Sequence, residues 1–171
     1  VPLFGLGFFL FFFTIKYFFL QNSTLSQKLA HFGFSLLIIS ILFNGILAKE
    51  YSSNMKVGDE REFMDKNLIF ESLEVIQNSN YQSLVAEFKL LENSKNLKFK
   101  PEIRIYNQPK TLTSEADIIS TIFFDKFLVI NLLKGEEIFN VRYQTKPFMI
   151  WIWISTCLIA IGGILGIFKR Q

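Results

Sequence analysis

The fold of this chain of 171 residues is decided by its apolar stretches, and the clearest of them, residues 148–168, reads FMIWIWISTCLIAIGGILGIF. This stretch contains no charged side chain, and its length matches the roughly 20 helical residues that cross a ~30 Å hydrocarbon core. Two further apolar stretches of similar length occupy residues 1–20 and 29–48. Each of the three therefore predicts a transmembrane helix.

The segment between the second and third stretches, residues 49–146, has the composition of a globular domain. All 15 acidic residues of the chain lie in it, together with most of the 18 basic ones. The net charge of +3 is therefore no nucleic-acid footprint, and we expect no nucleic-acid partner. The predicted fold is a membrane protein with three transmembrane α-helices and, between helices two and three, a small β-rich extracytoplasmic domain, barrel- or sandwich-like.

The basic residues outside that segment predict the orientation in the lipid bilayer. They are Lys16, Lys28, Lys169 and Arg170. Because such cations favour the inner side of a membrane, they place the connection 21–28 and the C-terminal tail inside, and the domain outside. We expect a bacterial inner membrane, or a mitochondrial inner membrane, with the domain on the periplasmic or intermembrane side.

The aromatic residues agree with this orientation. Trp151 and Trp153 lie at the predicted outer end of the third span, where indole rings favour the interface. The chain does not start with methionine, and the first stretch has no basic residue before it and no small-residue cleavage site after it, so we interpret it as a span and not as a signal peptide. The predicted segments are helix 1–20, inner loop 21–28, helix 29–48, outer domain 49–146, helix 147–168 and inner tail 169–171.

The second span carries small and polar residues on two faces. At 100° per residue, one face carries His31, Ser35, Leu42 and Gly45, and the opposite face carries Gly33, Ser40 and Asn44. Such residues mark helix contacts in a bilayer, so this helix is expected to have protein on both sides. Gly162 and Gly166 form a further small-xxx-small pair in the third span, although glycine is also simply common in membrane helices.

The residue pattern of the outer domain predicts five or six short strands, which are mainly antiparallel. Residues 82–91 alternate in polarity with a period of two, which places Leu84, Ala86, Phe88 and Leu90 on one buried face. Residues 113–120 allow a helical turn. The other candidate strands are residues 68–76, 97–106, 127–132 and 138–143, with turns at 78–80, 93–96 and 134–136.

His31, the single histidine, is the candidate functional residue. An ionisable side chain on a membrane helix is costly unless it is paired, which makes it a functional candidate by default, and imidazole is the usual axial ligand of haem iron in membrane electron carriers. A near-interface histidine that reaches water is the plainer alternative. One histidine cannot supply two axial ligands, so a haem site requires a second ligand from another part of the protein.

The outer domain offers no catalytic constellation, because it contains neither histidine nor cysteine. Two groups of neighbouring carboxylates are interpreted as a solvated face and a helix N-terminus and not as catalytic pairs: Glu115 and Asp117, and Asp59, Glu60 and Glu62. Glu102, Arg104 and Tyr106 share one face of a predicted strand, which is either a salt-bridged exposed face or a docking surface. The only cysteine, Cys157, lies in the third span and permits no intrachain disulfide. We therefore predict no catalytic residue in this segment.

In addition, the sequence resembles the C-terminal part of the CcmF family of haem lyases (the CcmF/NrfE/CcsA haem-handling proteins), and the resemblance covers essentially the whole chain in order. The Ala-His-Phe-Gly motif at residues 30–33 matches the start of a late membrane helix of that family. The other matching motifs are residues 101–106 (PEIRIY), 113–118 (TSEADI), 141–142 (VR), 146–153 (KPFMIWIW) and 162–163 (GG).

The resemblance implies a part in attaching haem covalently to apocytochrome c outside the membrane. It implies haem-loaded CcmE as the haem donor, CcmH and CcmI as the route for apocytochrome c, and the upstream part of CcmF as a partner. It also implies that His31 is an axial ligand of a b-type haem that helps to reduce the incoming haem iron. The family's Trp-rich haem-handling segment has no counterpart here, so whether this segment acts as an enzyme stays open.

A second hypothesis belongs to another class. The chain would be a non-catalytic, membrane-anchored interaction subunit whose outer domain docks partners. The absence of histidine and cysteine from residues 49–146 fits this hypothesis equally well.

Overall fold

A computed structural model describes residues 2–20, 22–63, 66–92, 95–133 and 138–168, with side chains from residue 4 onward. The chain divides into a helical unit, residues 1–48, 121–125 and 146–171, and a β unit, residues 49–120 and 126–145. The predicted turns at 93–94 and 134–136 and the cations Lys169 and Arg170 lie outside the described residues.

The helical unit contains α1 (Pro2–Leu20), α2 (Leu25–Leu47) and α3 (Met149–Phe168). By length and composition, α2 and α3 are long and apolar enough to cross a membrane. The described apolar part of α1, Phe4–Leu20, is shorter. A membrane protein with a β-rich domain is therefore confirmed, and the number of three spans stays a prediction.

Helix α2 starts at Leu25, inside the segment that the sequence predicts as an inner loop. The reason is a capping box at Thr24, whose Oγ1 accepts a hydrogen bond from the Gln27 backbone N–H at 3.3 Å, while Gln27 Oε1 accepts one from the Thr24 N–H at 3.3 Å. These bonds satisfy two amide groups that a helix start leaves free. Hydropathy shows where the apolar part starts, but the helix starts at its cap.

Two glycines bring the backbones of α2 and α3 into close contact. A Cβ atom on Gly33 would lie 2.9 Å from the Ser155 carbonyl oxygen, and one on Gly162 would lie 2.7 Å from the Ala30 backbone nitrogen. Ser26 Oγ donates a hydrogen bond of 2.8 Å to the Gly162 carbonyl. Small residues are what permit such an approach in membranes, where no hydrophobic effect pulls helices together. The predicted contact roles of Gly33 and Gly162 are confirmed.

Helix α1 packs against the predicted face of α2 that carries His31, where a Cβ atom on Gly7 would lie 2.6 Å from Leu42 Cδ1. Aromatic rings beside that face extend the contact. The rings of Phe11 and Phe32 lie 6.1 Å apart between centroids, and those of Phe8 and Phe43 lie 5.7 Å apart. Helix α2 thus has a protein neighbour on each of its two predicted contact faces.

The β unit is built from two sheets that share one core. One sheet has the strand order β1-β10-β9-β8, and the other has the order β2-β3-β4-β6-β7, with β5 also paired to β4. The strands are β1 (Lys49–Met55), β2 (Glu60–Phe63), β3 (Lys66–Gln77), β4 (Tyr81–Glu92), β5 (Lys95–Phe99), β6 (Glu102–Tyr106), β7 (Thr111–Glu115), β8 (Asp117–Ser120), β9 (Phe124–Leu132) and β10 (Phe139–Pro147).

The core of the β unit follows the predicted alternation of β4. Ala86, Phe88 and Leu90 are buried, and Phe88 stacks on Phe70 with 4.3 Å between ring centroids. Leu84 is half-buried and packs at the edge of the same core. The predicted inner face of this strand is therefore confirmed, with Leu84 at its boundary.

The sequence assignment is wrong at three places. It predicts five or six strands, whereas ten form among the described residues. Residues 113–120 form no helical turn, because β7 pairs along β6 with Arg104 opposite Thr113, and β8 follows directly. The predicted strand 97–106 is broken at Lys100 and Pro101 into β5 and β6, which pair with different parts of β4. A proline nitrogen cannot donate to a β ladder, so the strand ends there.

A cluster of charges joins the two sheets of the β unit. Glu92 on β4 forms an ion pair of 2.9 Å with Lys66 on β3 and a second one with Lys126 on β9. Each of these three side chains has only 16–20% of its surface accessible to solvent. Lys66 Nζ also donates to the Tyr143 hydroxyl on β10 at 3.5 Å and lies over the Tyr143 ring.

The ion pairs set the protonation of this cluster. Burial alone would raise the pKa of Glu92, but hydrogen bonds from Lys126 and Lys66 outweigh it and hold the pKa below its ordinary value of 4.5. Burial would likewise lower the pKa of Lys66, but the hydrogen bonds and charge attractions of Glu92 and Tyr143 together outweigh it and raise the pKa above 10.5. Glu92 and Lys66 are therefore both ionised at neutral pH in the folded β unit.

We expect Glu92→Gln to lower the free energy of unfolding by roughly 2 kcal/mol at pH 7, because it leaves two half-buried ammonium groups without their counter-charge. A carboxylate whose pKa is lower in the folded state stabilises above its ordinary value of 4.5 and loses that contribution as the pH falls through the folded value. Pulse proteolysis of the full chain in urea should therefore show wild-type stability declining below about pH 4.5, with a smaller decline in Glu92→Gln.

The matched control for that variant is Glu50→Gln. Glu50 pairs with Arg142 at 3.6 Å, and both side chains are about half exposed, so its replacement should change stability by less than about 0.5 kcal/mol. Equal losses in the two variants would contradict the role assigned to the Glu92 cluster.

For the helical unit, we expect Gly162→Ala to lower thermal stability in detergent, because its methyl group would meet the Ala30 and Ser26 backbones and force α2 and α3 apart. Gly163→Ala is the control, since nothing lies within 4 Å of a Cβ at that neighbouring position. Size-exclusion chromatography after heating measures the fraction that stays folded. If both variants resist heating equally, the close approach is not what holds the two helices together.

Candidate functional site

The candidate site is an open groove that His31 shares with residues of α1 and α2. His31 lies six residues after the start of α2, about 9 Å along the helix axis, and its side chain is exposed. Gly33, two residues later, faces α3, and residues two apart on a helix point in nearly opposite directions. The contact of α2 with α3 therefore turns His31 towards α1.

The groove has a volume of about 410 Å³ and a largely apolar wall. The ring of Tyr17 on α1 lies 5.4 Å from the His31 ring between centroids. The residues that line it are Leu10, Phe13, Thr14, Tyr17, His31, Phe34 and Ser35.

Two hydroxyl groups of the groove are already engaged by their own helices. Thr14 Oγ1 donates to the Leu10 carbonyl at 2.6 Å, and Ser35 Oγ donates to the Phe32 carbonyl at 3.0 Å. Backbone acceptors of this kind satisfy hydroxyl hydrogens in an apolar medium. The imidazole of His31 is then the group best suited to bind a ligand in the groove, because it is exposed and offers a nitrogen lone pair.

The residues of the groove fit one side of a haem site. Imidazole is a common axial ligand of haem iron, and an aromatic and aliphatic wall suits a flat apolar macrocycle. A second imidazole cannot come from this chain, which has one histidine. Within the described ranges, no group of three or more His, Cys, Asp or Glu side chains is placed to hold a metal ion.

Sequence reasoning identified His31 but missed the α1 side of the groove. Leu10, Phe13, Thr14 and Tyr17 follow the spacing i, i+3, i+4, i+7, so they share one helix face. This spacing is visible in the sequence. It is concealed by the phenylalanines that surround it, which make every face of α1 look apolar.

The two neighbouring carboxylates Glu115 and Asp117 have structural partners. Asp117 accepts hydrogen bonds from the backbone N–H groups of Lys100 at 2.7 Å and Ile118 at 2.8 Å. Glu115 accepts one from Thr113 Oγ1 at 3.2 Å. Of the predicted alternatives for these two carboxylates, the helix N-terminus is wrong, since both lie in or beside strands.

The predicted face of β6 is salt-bridged. Arg104 Nε lies 3.0 Å from Glu102 Oε2, and the Arg104 guanidinium lies over the ring of Tyr81 at 5.1 Å. The Tyr81 and Tyr106 rings are 5.2 Å apart between centroids. The hydrogen bond from Arg104 is the main cause that lowers the pKa of Glu102. A docking role for this face stays a prediction.

The family described as "CcmF C-terminal beta-sandwich" matches residues 46–147, which cover the β unit. Two curated relatives are named "Cytochrome c-type biogenesis protein CcmF". The one from Escherichia coli (strain K12) is 29% identical over 147 residues, which are 83% of this chain and 22% of that protein. The one from Pseudomonas fluorescens is 24% identical over 153 residues, which are 89% of this chain and 23% of that protein.

A solved structure named "Cytochrome c Heme Lyase CcmF" has the same fold, with a TM-score of 0.65 and 18% identity over 81% of this chain and 23% of that chain. This chain thus spans less than a quarter of the length of the relatives that it matches.

Proposed function

Because the chain belongs to the CcmF family and corresponds to its C-terminal segment, we propose that it takes part in cytochrome c biogenesis as the C-terminal part of a haem lyase. Its substrates in this proposal are haem and apocytochrome c. The chain carries out this work together with the upstream part of the same family architecture, of which it spans less than a quarter.

The observation that carries the proposal is the exposed imidazole of His31 on an apolar groove between α1 and α2. In this proposal His31 is an axial ligand of a b-type haem, and the second axial ligand comes from the upstream part. A haem held there by His31 would supply one-electron redox chemistry, through which electrons from a quinol would reach the iron of the substrate haem.

The residues of the groove orient the imidazole of His31, bind the macrocycle and keep water away from it. The ring of Tyr17, 5.4 Å from the His31 ring, limits the directions in which the imidazole can turn. Phe13 and Phe34 form apolar wall on which a macrocycle packs without competing for hydrogen bonds. The contact of Gly33 with α3 fixes the rotation of α2 and therefore the direction of His31.

We place the β unit on the outer side of the membrane, where apocytochrome c and its carriers are found. The carriers that we propose are haem-loaded CcmE, CcmH and CcmI. The cations Lys16 and Lys28 support this orientation, since they lie near the ends of α1 and α2 away from the β unit in the sequence. His31 is then near the inner face, on the side from which quinol-derived electrons are expected. The membrane is a bacterial or mitochondrial inner membrane in this proposal.

We expect His31→Ala to abolish the b-type haem absorption bands of the purified assembly, because the iron loses one axial ligand. The measurement is a reduced-minus-oxidised spectrum of the assembly from native membranes, with insertion of the variant checked by immunoblot. The matched control is Ser35→Ala, since Ser35 lines the same groove but bonds its own helix. An unchanged spectrum in an inserted His31→Ala variant would remove His31 from the haem site.

The orientation predicts which cysteine reporters react with an impermeant maleimide in intact cells or mitoplasts. In a Cys157→Ser background, Lys110→Cys in an exposed turn of the β unit should be labelled directly. Asn22→Cys, exposed in the loop before α2, should be labelled only after permeabilisation. The opposite labelling pattern would place His31 near the outer face. It would then contradict the proposal that His31 receives electrons from the inner side.

A further inference from the structure

The segment between β8 and β9, residues 121–125, belongs to the helical unit and ends in a tight, ordered turn. The Thr121 N–H donates to the Phe124 carbonyl at 2.9 Å, and Thr121 Oγ1 donates to the same carbonyl at 2.7 Å. The Phe124 N–H donates back to Thr121 Oγ1 at 3.1 Å. The chain therefore holds a fixed shape at residues 121–124, which we name the apolar turn.

The apolar turn presents three large hydrophobic side chains to the outside. Ile122 is 62% exposed, Phe123 is 52% exposed and Phe124 is 45% exposed. Three adjacent exposed residues of this size on a rigid turn mark an interaction surface, because soluble surfaces rarely display such a contiguous apolar patch.

The apolar turn is tied to the start of α3. The Phe148 N–H donates a hydrogen bond of 2.8 Å to the Phe123 carbonyl, and the Phe123 ring packs against the rings of Phe148 and Trp151 at 6.1 Å and 6.4 Å between centroids. Phe148 has a φ of 59°, a left-handed conformation that a bulky residue adopts only when its surroundings impose it. Stacking of Phe148 on Phe43 of α2, at 5.0 Å between centroids, helps to impose it.

The end of α3 that carries Trp151 is the end at which an apolar helix leaves the hydrocarbon core. Helix α3 is long and apolar enough to span, and Trp rings concentrate at the membrane–water boundary. A turn fixed to that end by a backbone hydrogen bond lies at the same depth as the aromatic ring against which it packs. Its exposed side chains then face the headgroup–acyl boundary.

We propose that the apolar turn is an interfacial membrane anchor that inserts Ile122, Phe123 and Phe124 into the phospholipid headgroup–acyl boundary beside α3. Apolar and aromatic side chains of this kind bind the interface by burying their surface in it. The inference depends on the membrane placement of α3 and not on the haem role of His31. In this proposal the turn fixes the depth at which the chain between β8 and β9 meets the bilayer.

The test is photo-crosslinking in native membranes with the complete protein and its partners present. In Ile122→p-benzoylphenylalanine, irradiation should yield phospholipid adducts, detected by mass spectrometry of the purified chain. Lys110→p-benzoylphenylalanine is the control, since Lys110 is exposed in a polar turn of the β unit. We expect at least a tenfold larger yield of lipid adduct at position 122 than at position 110.

Two results would overturn the proposal. A higher-mass protein adduct at position 122 in place of lipid would mean that the apolar turn docks on another polypeptide. No adduct of either kind would mean that the turn faces water. Phe124→p-benzoylphenylalanine repeats the measurement at a second exposed position if the first variant does not accumulate. Either contrary result leaves the His31 spectrum unaffected, so failure of this inference is distinguishable from failure of the proposed function.

Discussion

The close approach of α2 and α3 is the constraint on which the candidate site depends. Gly33 and Gly162 leave no room for a Cβ atom between the two backbones, and Ser26 bonds across the contact to the Gly162 carbonyl. In a bilayer the surrounding lipid is as apolar as the helices, so packing and hydrogen bonds must hold them together. This contact fixes the rotation of α2 about its axis. His31, on the other face, is thereby directed into the groove with α1.

A different principle holds the β unit together. Its core is a continuous set of buried aliphatic and aromatic side chains from both sheets, and the removal of this surface from water drives its folding. The Glu92 cluster adds a specific cross-link, because its partners lie on both sheets and fix how the sheets are aligned. The helical unit is stabilised by close packing of its helices, and the β unit is stabilised by the hydrophobic effect. The difference arises because the helices fold in lipid and the β unit folds in water.

The two units also divide the functional features of the chain. The candidate imidazole of His31 belongs to the helical unit, and the salt-bridged face of Glu102 and Arg104 belongs to the β unit. Residues 49–146 contain no histidine and no cysteine, and a docking role of this unit stays a prediction. This segment spans less than a quarter of the length of its relatives.

The sequence by itself determined the class of fold, the position of the apolar helices, the inner face of β4 and the identity of His31 as the candidate ligand. These features depend on local composition and on periods of 2 and 3.6 residues, which a single sequence displays directly.

Tertiary structure decided the rest. Residues 111–115 became β7 because β6 offered a pairing edge, and residues 117–120 became β8 by pairing with β9 in the other sheet. The strand at 97–106 broke because Pro101 cannot donate to a ladder. The groove around His31 needed α1 to be brought alongside α2, since its walls come from residues separated along the chain. Sequence periodicity gives each helix its faces, but only packing decides which face meets which neighbour, because that choice depends on contacts distant in the sequence.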